Sequence, residues 1–262
     1  WECVMLNKPL VAVSVLAVLA ACGGDGGGAN STLDANASTV RVFGDDSGIM
    51  RVVREDGSQG LFMISDVAEQ VSLFNSNDAE SDFNDTTDLS SSGTVVGGAT
   101  QLEGASTIGN LAGNITALEH PDGVARIVYL EVPNYTAIAG AAGNPVGSLP
   151  SGSFTYQGTL ATGLRTQDPQ LEYGTFTMDA DFNAQTFDFN GQTASDTLQA
   201  TGAIDVADGQ FTSSNVLFVT SGTQRGGRLY GSIHGPNGET VSGLAHSNES
   251  SPVYGAAFVS TN

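Results

Sequence analysis

The 262-residue chain has 28 acidic residues and only 8 lysines and arginines, which gives a formal net charge of −20. This balance excludes a nucleic-acid groove and adsorption to anionic lipid through basic residues, because both require clustered positive charge. Apolar residues make up 40% of the chain, which is enough for a sizeable core and argues against general disorder.

The first predicted element is an export signal. Lys8 precedes an apolar run from Leu10 to Ala21, which is too short to span a bilayer and has the length of a signal-peptide core. The sequence Leu-Ala-Ala-Cys at residues 19–22 resembles the lipobox of bacterial lipoproteins. The resemblance implies that Cys22 is lipidated with a diacylglycerol after cleavage. The alternative is a buried signal-anchor helix with an incidental cysteine.

We therefore expect residues 1–21 to be a lipoprotein signal peptide, with translation starting at Met5 and the four preceding residues belonging to an over-extended gene. In lipoproteins of this kind an aspartate after the cysteine favours retention at the inner membrane. Gly23 stands there instead, so we expect the outer membrane. The glycine-rich segment 22–38 predicts a flexible tether between lipid and folded protein.

The next segment is predicted to be rich in strands. From Thr39 to Ser65 short β-forming runs alternate with turn residues, including an Asp56-Gly57 hairpin signal. The pattern from Asp66 to Phe74 indicates two helical turns. The polar, acidic stretch from Asn75 to Gly98 indicates a long loop.

Two more strands are predicted at Asn114–Glu119 and Val124–Val132, joined by a His-Pro-Asp-Gly turn. Ala137–Pro150 is small, glycine-rich and proline-bearing, which is typical of an interdomain connection. We therefore expect residues 39–150 to form a β-rich, handle-like region that contains the long acidic loop.

Residues 151–262 are more regular and predict an eight-stranded domain. Apolar residues alternate with polar ones along the first strands, so one face should be buried and the other wet. The candidate strands are Ser153–Ala161, Glu172–Phe182, Thr186–Asn190, Thr197–Val206, Gly209–Ser213 running on toward Phe218, Gly227–His234, Thr240–His246 and Tyr254–Ser260.

A sandwich and a closed antiparallel up-and-down barrel both accommodate these strands. Short sequential hairpins favour the barrel, because a sandwich needs longer crossings between its sheets. A membrane-spanning barrel would show the same alternation with its faces reversed. A lipid anchor would be redundant on such a barrel, so we predict an all-β chain with a water-exposed C-terminal barrel.

Four segments of this barrel region share a pattern with a known family. They are Gly152–Gly158, Gly174–Phe182, Arg228–Gly243 and Val253–Phe258. Together they resemble the barrel domain of transferrin-binding protein B. The most specific piece is the turn Gly235-Pro236-Asn237-Gly238-Glu239, in which Pro236 pre-sets φ and Gly238 permits a left-handed residue.

The resemblance implies a surface lipoprotein of Gram-negative bacteria, with an eight-stranded barrel beside a β-rich handle at residues 39–132. Family members include receptors for transferrin, binders of factor H and haem-binding proteins. Their binding loops do not match this sequence, so no contact residue is carried over. We expect a non-enzymatic, monomeric protein that binds the membrane through Cys22 and takes an unidentified protein or nutrient ligand.

The alternative function is a haem-binding or small-solute-binding lipoprotein. His234 and His246 lie on neighbouring predicted strands, with Tyr230 and Tyr254 close by in the pattern. Such a pair is able to ligate haem or a metal, although isolated strand histidines are more often structural. We otherwise expect no cofactor.

Two further patterns are weak. Asp78, Glu80, Asp82 and Asn84 have the spacing of calcium ligands, but the glycine and glutamate that an EF-hand loop also requires are absent. The sequence Gly-Asp-Asp-Ser-Gly at residues 44–48 faintly resembles a serine-protease nucleophile motif, yet all three histidines follow it in the chain. We predict a solvated loop and a turn, respectively, and no catalytic residues.

Overall fold

The computed structural model describes residues 40–44, 49–54, 59–64, 90–108, 111–131, 138–164, 171–248 and 254–262. Within these ranges the chain forms sixteen strands and no helix. Eight strands build an open sheet and eight build a closed barrel. The predicted all-β fold class is therefore confirmed.

The N-terminal sheet is antiparallel throughout, with the spatial order β1-β2-β3-β8-β7-β6-β5-β4. Its strands are β1 Val40–Gly44, β2 Ile49–Arg54, β3 Gln59–Ile64, β4 Ser90–Val96, β5 Ala99–Ile108, β6 Leu111–Glu119, β7 Ala125–Glu131 and β8 Ile138–Gly143. The strand pattern predicted for Thr39–Ser65 and the two strands predicted before Val132 are confirmed. The helix predicted at Asp66–Phe74 lies outside the described residues.

Two predictions in this region are wrong. Part of the predicted loop Asn75–Gly98 is the edge strand β4, in which the Ser91 and Ser92 hydroxyls accept hydrogen bonds from the amides two residues on. Part of the predicted connection Ala137–Pro150 is the central strand β8. Serine and small residues signal loops, but here strand pairing and close packing against the barrel determine the structure.

The C-terminal domain is the predicted closed barrel, in which the first strand also pairs with the last. Its strands are β9 Ser153–Leu164, β10 Glu172–Asp181, β11 Thr186–Gln192, β12 Asp196–Asp205, β13 Gln210–Thr220, β14 Thr223–His234, β15 Thr240–Ser247 and β16 Gly255–Ser260. All neighbours are antiparallel and sequential, so the up-and-down topology is confirmed.

Aromatic side chains fill the barrel interior. Phe176 stacks on Phe189 with ring centroids 5.1 Å apart, and Phe258 packs against both rings, its centroid 4.8 Å from that of Phe189. The aliphatic members of this core include Leu160 and Leu198, and every barrel strand contributes at least one residue to it. An eight-stranded barrel is about as wide as its own side chains can fill, and this interior is a packed core.

The N-terminal sheet covers one side of the barrel wall. Leu118, Ile127 and Tyr129 of the sheet pack on Leu244 and Val259, which point outward from the barrel. Strands β15 and β16 are consequently buried along their whole length. The predicted wet outer face is therefore wrong for these two strands, which are buried on both faces and so lose the alternation between apolar and polar residues.

Candidate functional site

The turn that carries the family resemblance lies at the base of the barrel, between β14 and β15. Gly235 and Gly238 have φ values of 89° and 67°, a region in which side chains are strained. The Gly238 amide donates to the Gly235 carbonyl over 3.2 Å, and the Asn237 amide donates to Glu239 Oε2 over 2.8 Å. The pattern Gly-Pro-Asn-Gly-Glu therefore specifies a self-bonded turn, as its residues predict.

This turn fixes the segment that links the sheet to the barrel. The Gly147 amide donates to the Gly235 carbonyl over 3.1 Å, and the Ser148 amide donates to the Pro236 carbonyl over 3.0 Å. A Cβ on Gly238 would lie 2.7 Å from Pro150 Cδ, so no larger residue fits there. The turn positions the link between sheet and barrel, and its residues are engaged in that contact.

The same linker closes the base of the barrel. Val146 and Leu149 pack against the aromatic core from below. Tyr156 projects down from the interior and donates its hydroxyl to the Gly238 carbonyl over 2.7 Å. Burial, with the Glu239 carboxylate as a smaller cause, raises the pKa of Tyr156, so this phenol stays neutral. The base therefore offers no opening for a ligand.

The opposite end of the barrel, which we call the mouth, is polar. At its rim the Glu172 carboxylate accepts hydrogen bonds from the Thr193 hydroxyl (3.0 Å) and from the Ser195 amide (3.0 Å) and hydroxyl (2.7 Å). The Thr193 hydroxyl also accepts from the Asp196 amide, which fixes the β11–β12 turn. This part of the rim therefore holds hydroxyls and a carboxylate in fixed positions.

Two polar groups of the mouth point inward and lack a partner within the described residues. Asp196 and Thr220 face each other on β12 and β13, and both are at least 95% buried. Among the described residues, neither Asp196 Oδ1 nor the Thr220 hydroxyl forms a hydrogen bond. Beside them the Arg225 guanidinium lies 4.8 Å from the centre of the Tyr254 ring, a cation–π contact. The sequence singled out Tyr254, as a neighbour of the histidine pair, but not Asp196, Thr220 or Arg225, because barrel closure alone brings these groups together.

His234 lies at the junction of sheet and barrel. Its Nδ1 is 3.1 Å from the Asn144 carbonyl, which only accepts, so Nδ1 bears the proton and Nε2 accepts from the Ser242 hydroxyl 2.9 Å away. A Cβ on Gly143 would overlap its ring. Complete burial outweighs the Asn144 bond and lowers the pKa of His234 to about 4, so the imidazole is neutral and structural.

The structure does not bring the two histidines of the haem alternative together. His234 pairs in register with Thr240, whereas His246 pairs with Arg228, six positions further along the sheet. Six positions correspond to roughly 20 Å. His246 stacks instead on Tyr230, with ring centroids 6.3 Å apart.

The remaining predicted site residues lie outside the described residues or do not form a cluster. Cys22, Asp78, Glu80, Asp82 and Asn84 lie outside the described residues, as do residues 45–48 of the Gly-Asp-Asp-Ser-Gly motif. Across the described ranges no group of three or more histidine, cysteine, aspartate or glutamate residues is placed to hold a metal ion. No helix in the described ranges is long and apolar enough to cross a membrane.

The neutral state of His234 predicts a pH dependence. The unfolded chain binds a proton at this residue below about pH 6.5, whereas the folded chain does so only below about pH 4. Stability should therefore fall as the pH drops from 6.5 to 4, by about 3 kcal/mol in all. Comparing urea unfolding of the wild type and His234→Gln across this range isolates the effect, and parallel stability curves would contradict it.

The fold defines a class of protein: an open antiparallel sheet packed on a filled eight-stranded barrel. Transferrin-binding protein B from Haemophilus parasuis has a similar structure, with a TM-score of 0.51 at 13% identity over 85% of this chain and 52% of that one. The chain therefore spans about half of that protein. The resemblance stated from the sequence is confirmed as a likeness of fold.

Two other similar solved structures have lower TM-scores. The haemoglobin receptor HpuA from Kingella denitrificans has a TM-score of 0.47 at 12% identity, over 87% of this chain and 91% of that one. Transferrin-binding protein B from Actinobacillus pleuropneumoniae has a TM-score of 0.40 at 15% identity, over 53% and 76%. No protein-family model matches the chain, and no curated protein sequence does so either.

Proposed function

We propose that the chain is an outer-membrane lipoprotein that is anchored through Cys22, displayed at the cell surface as a monomer, and binds a protein ligand without catalysis. The lipobox sequence and the flexible segment 22–38 support the anchor. The likeness in fold to transferrin-binding protein B supports the type of scaffold. Transferrin binding itself belongs to that protein, and the ligand of this chain is left as a protein of unspecified identity.

The observation that carries this proposal is the packing of aromatic side chains across the interior of the described barrel. Its interior is an aromatic core, and its base is closed by Val146 and Leu149. This packing favours binding on the outer surfaces, where a protein is able to contact enough surface for affinity. The mouth suits such contact, because Arg225 and Tyr254 provide a cation and an aromatic ring, residue types that are enriched in protein interfaces.

Anchoring is tested by metabolic labelling with palmitate and by protease treatment of intact cells. The full-length wild type is expected to incorporate the label and to be digested from outside. Cys22→Ser is expected to lose the label completely. Labelling of Cys22→Ser at the level of the wild type, or full protection of the wild type in intact cells whose permeabilisation permits digestion, would overturn the assigned anchor or location.

Ligand binding is tested with the full-length protein in mild detergent, used to capture proteins from host serum and lysed blood cells. We expect the wild type to retain a genuine ligand. Arg225→Glu should reduce the captured amount at least about 10-fold, because it replaces a positive charge in the contact by a negative one. The control Gln157→Glu also introduces a carboxylate, on an exposed part of β9, and should leave capture unchanged. Equal capture by all three proteins would refute binding at the mouth.

A further inference from the structure

The outer wall of the barrel that faces away from the N-terminal sheet contains an irregular strand. On one side of β13, Thr201 pairs with Asn215 and Ala203 pairs with Thr212, so two residues of β13 oppose the single Gly202. On its other side Ser214 and Asn215 together oppose Arg228. Ser214 thus has no partner residue in either neighbouring strand, which is the geometry of a β-bulge.

The bulge opens a groove of about 490 Å³ in the wall, which we call the bulge groove. Hydrogen bonds hold its side chains in place: Asn215 Nδ2 donates to the Thr201 hydroxyl over 2.7 Å, and Arg228 Nη1 donates to the Tyr230 hydroxyl over 3.3 Å. The Tyr230 ring also stacks on the His246 ring. A rigid wall therefore presents an aromatic ring, a guanidinium and an amide side by side.

A second groove, of about 290 Å³, adjoins the first on the same wall. It is lined by hydroxyls and amides, including those of Thr177, Asn190 and Gln199. Gln199 in this groove and Thr201 in the bulge groove are two residues apart on the same face of β12, about 7 Å from one another. The two grooves thus form one track across β10 to β14.

The charge of the track differs from that of the whole chain. The sequence has 28 acidic residues, yet none of the residues that line either groove is acidic, and Arg228 is the charged residue among them. Hydroxyls and amides both donate and accept hydrogen bonds, and an aromatic ring packs against an apolar face. Sugar rings offer hydroxyls at their edges and C–H groups on their faces, which matches this set.

We propose that the track binds a glycan chain, with a sugar ring against Tyr230, hydrogen bonds from Arg228 and Asn215, and further sugar units along Gln199 and Asn190. The length of the track suits an oligosaccharide rather than a single sugar. The proposal goes beyond binding of a protein at the mouth and does not depend on it. The same chemistry occurs in glycans of host glycoproteins and in polysaccharides of the bacterial envelope.

The test uses the full-length protein in detergent against an array of defined oligosaccharides, one arm from released host glycans and one from fragments of bacterial envelope polysaccharide. Retention of a structurally related set in either arm supports the proposal and identifies the source. Retention of none of the probes overturns it. Affinities for the best probe are then measured by isothermal titration calorimetry.

Two variants at exposed positions of the track and one control locate the site. Arg228→Gln should weaken binding about 10-fold, and Gln199→Ala about 5-fold, as expected for a charged and a neutral hydrogen bond. Gln224→Ala removes the same amide from an exposed position near the start of β14 that lines neither groove, and should bind like the wild type. Affinities that are the same in the wild type and both track variants would overturn the assignment of the site, as would an equal loss in the control.

Discussion

Replacing Phe258 by alanine is expected to destabilise the protein by about 3–5 kcal/mol. Phe258 is fully buried on β16, the strand that closes the barrel against β9. Its ring touches those of Phe176, Phe189 and Phe211, with centroid distances of 5.2, 4.8 and 6.2 Å. Its removal would leave a cavity between rigid strands that cannot collapse to fill it.

The loss is measured as the difference in free energy of unfolding in urea, followed by circular dichroism. Phe258→Leu keeps part of the buried volume and should cost clearly less. Val206→Ala, which shortens an exposed side chain in the turn after β12, should change stability by less than about 0.5 kcal/mol. If Phe258→Ala were no more destabilising than Val206→Ala, the close packing of the interior would be refuted.

Replacing Arg126 by alanine is expected to cost a similar amount, about 3–5 kcal/mol, for an electrostatic reason. Arg126 on β7 is completely buried, and its Nη2 lies 3.1 Å from Oε2 of Glu119, the residue opposite on β6. Burial raises the pKa of Glu119, and the Arg126 charge counteracts this. Without the guanidinium, the carboxylate would be buried without its counter-charge or would have to bind a proton.

A double-mutant cycle with Arg126→Met and Glu119→Leu measures this coupling. The double variant should recover most of the stability lost in the single variants, because replacing both charges removes the desolvation cost as well as the attraction. The single Arg126 variant should also lose less stability at acid pH, where Glu119 is protonated. Additive losses in the double variant would show that the two side chains are not coupled.

The barrel could be predicted from the sequence because most barrel strands are buried on one face only. Phe176, Met178 and Ala180 alternate with polar residues, and the structure places them inward as predicted. The alternation fails in β15 and β16, which the N-terminal sheet covers from outside. The docking of one sheet on another depends on long-range packing, and no local pattern in the chain specifies it.

The same limit applies to the functional surfaces. The turn from Gly235 to Glu239 could be predicted as a turn, since its glycines and proline act locally. Its contacts with Gly147 and Ser148 could not, because about 90 residues separate the partners. The bulge groove is equally hidden, since it depends on how β13 pairs with two neighbours at once.

Pairing of β16 with β9 sets the order in which the domain is able to assemble. A chain that emerges from its N terminus presents β9 about 100 residues before β16, so the cylinder stays open until β16 has emerged. Until then β9 and β15 are bare sheet edges of the kind that pair with foreign strands. A chaperone that shields these two edges should therefore raise the yield of folded protein.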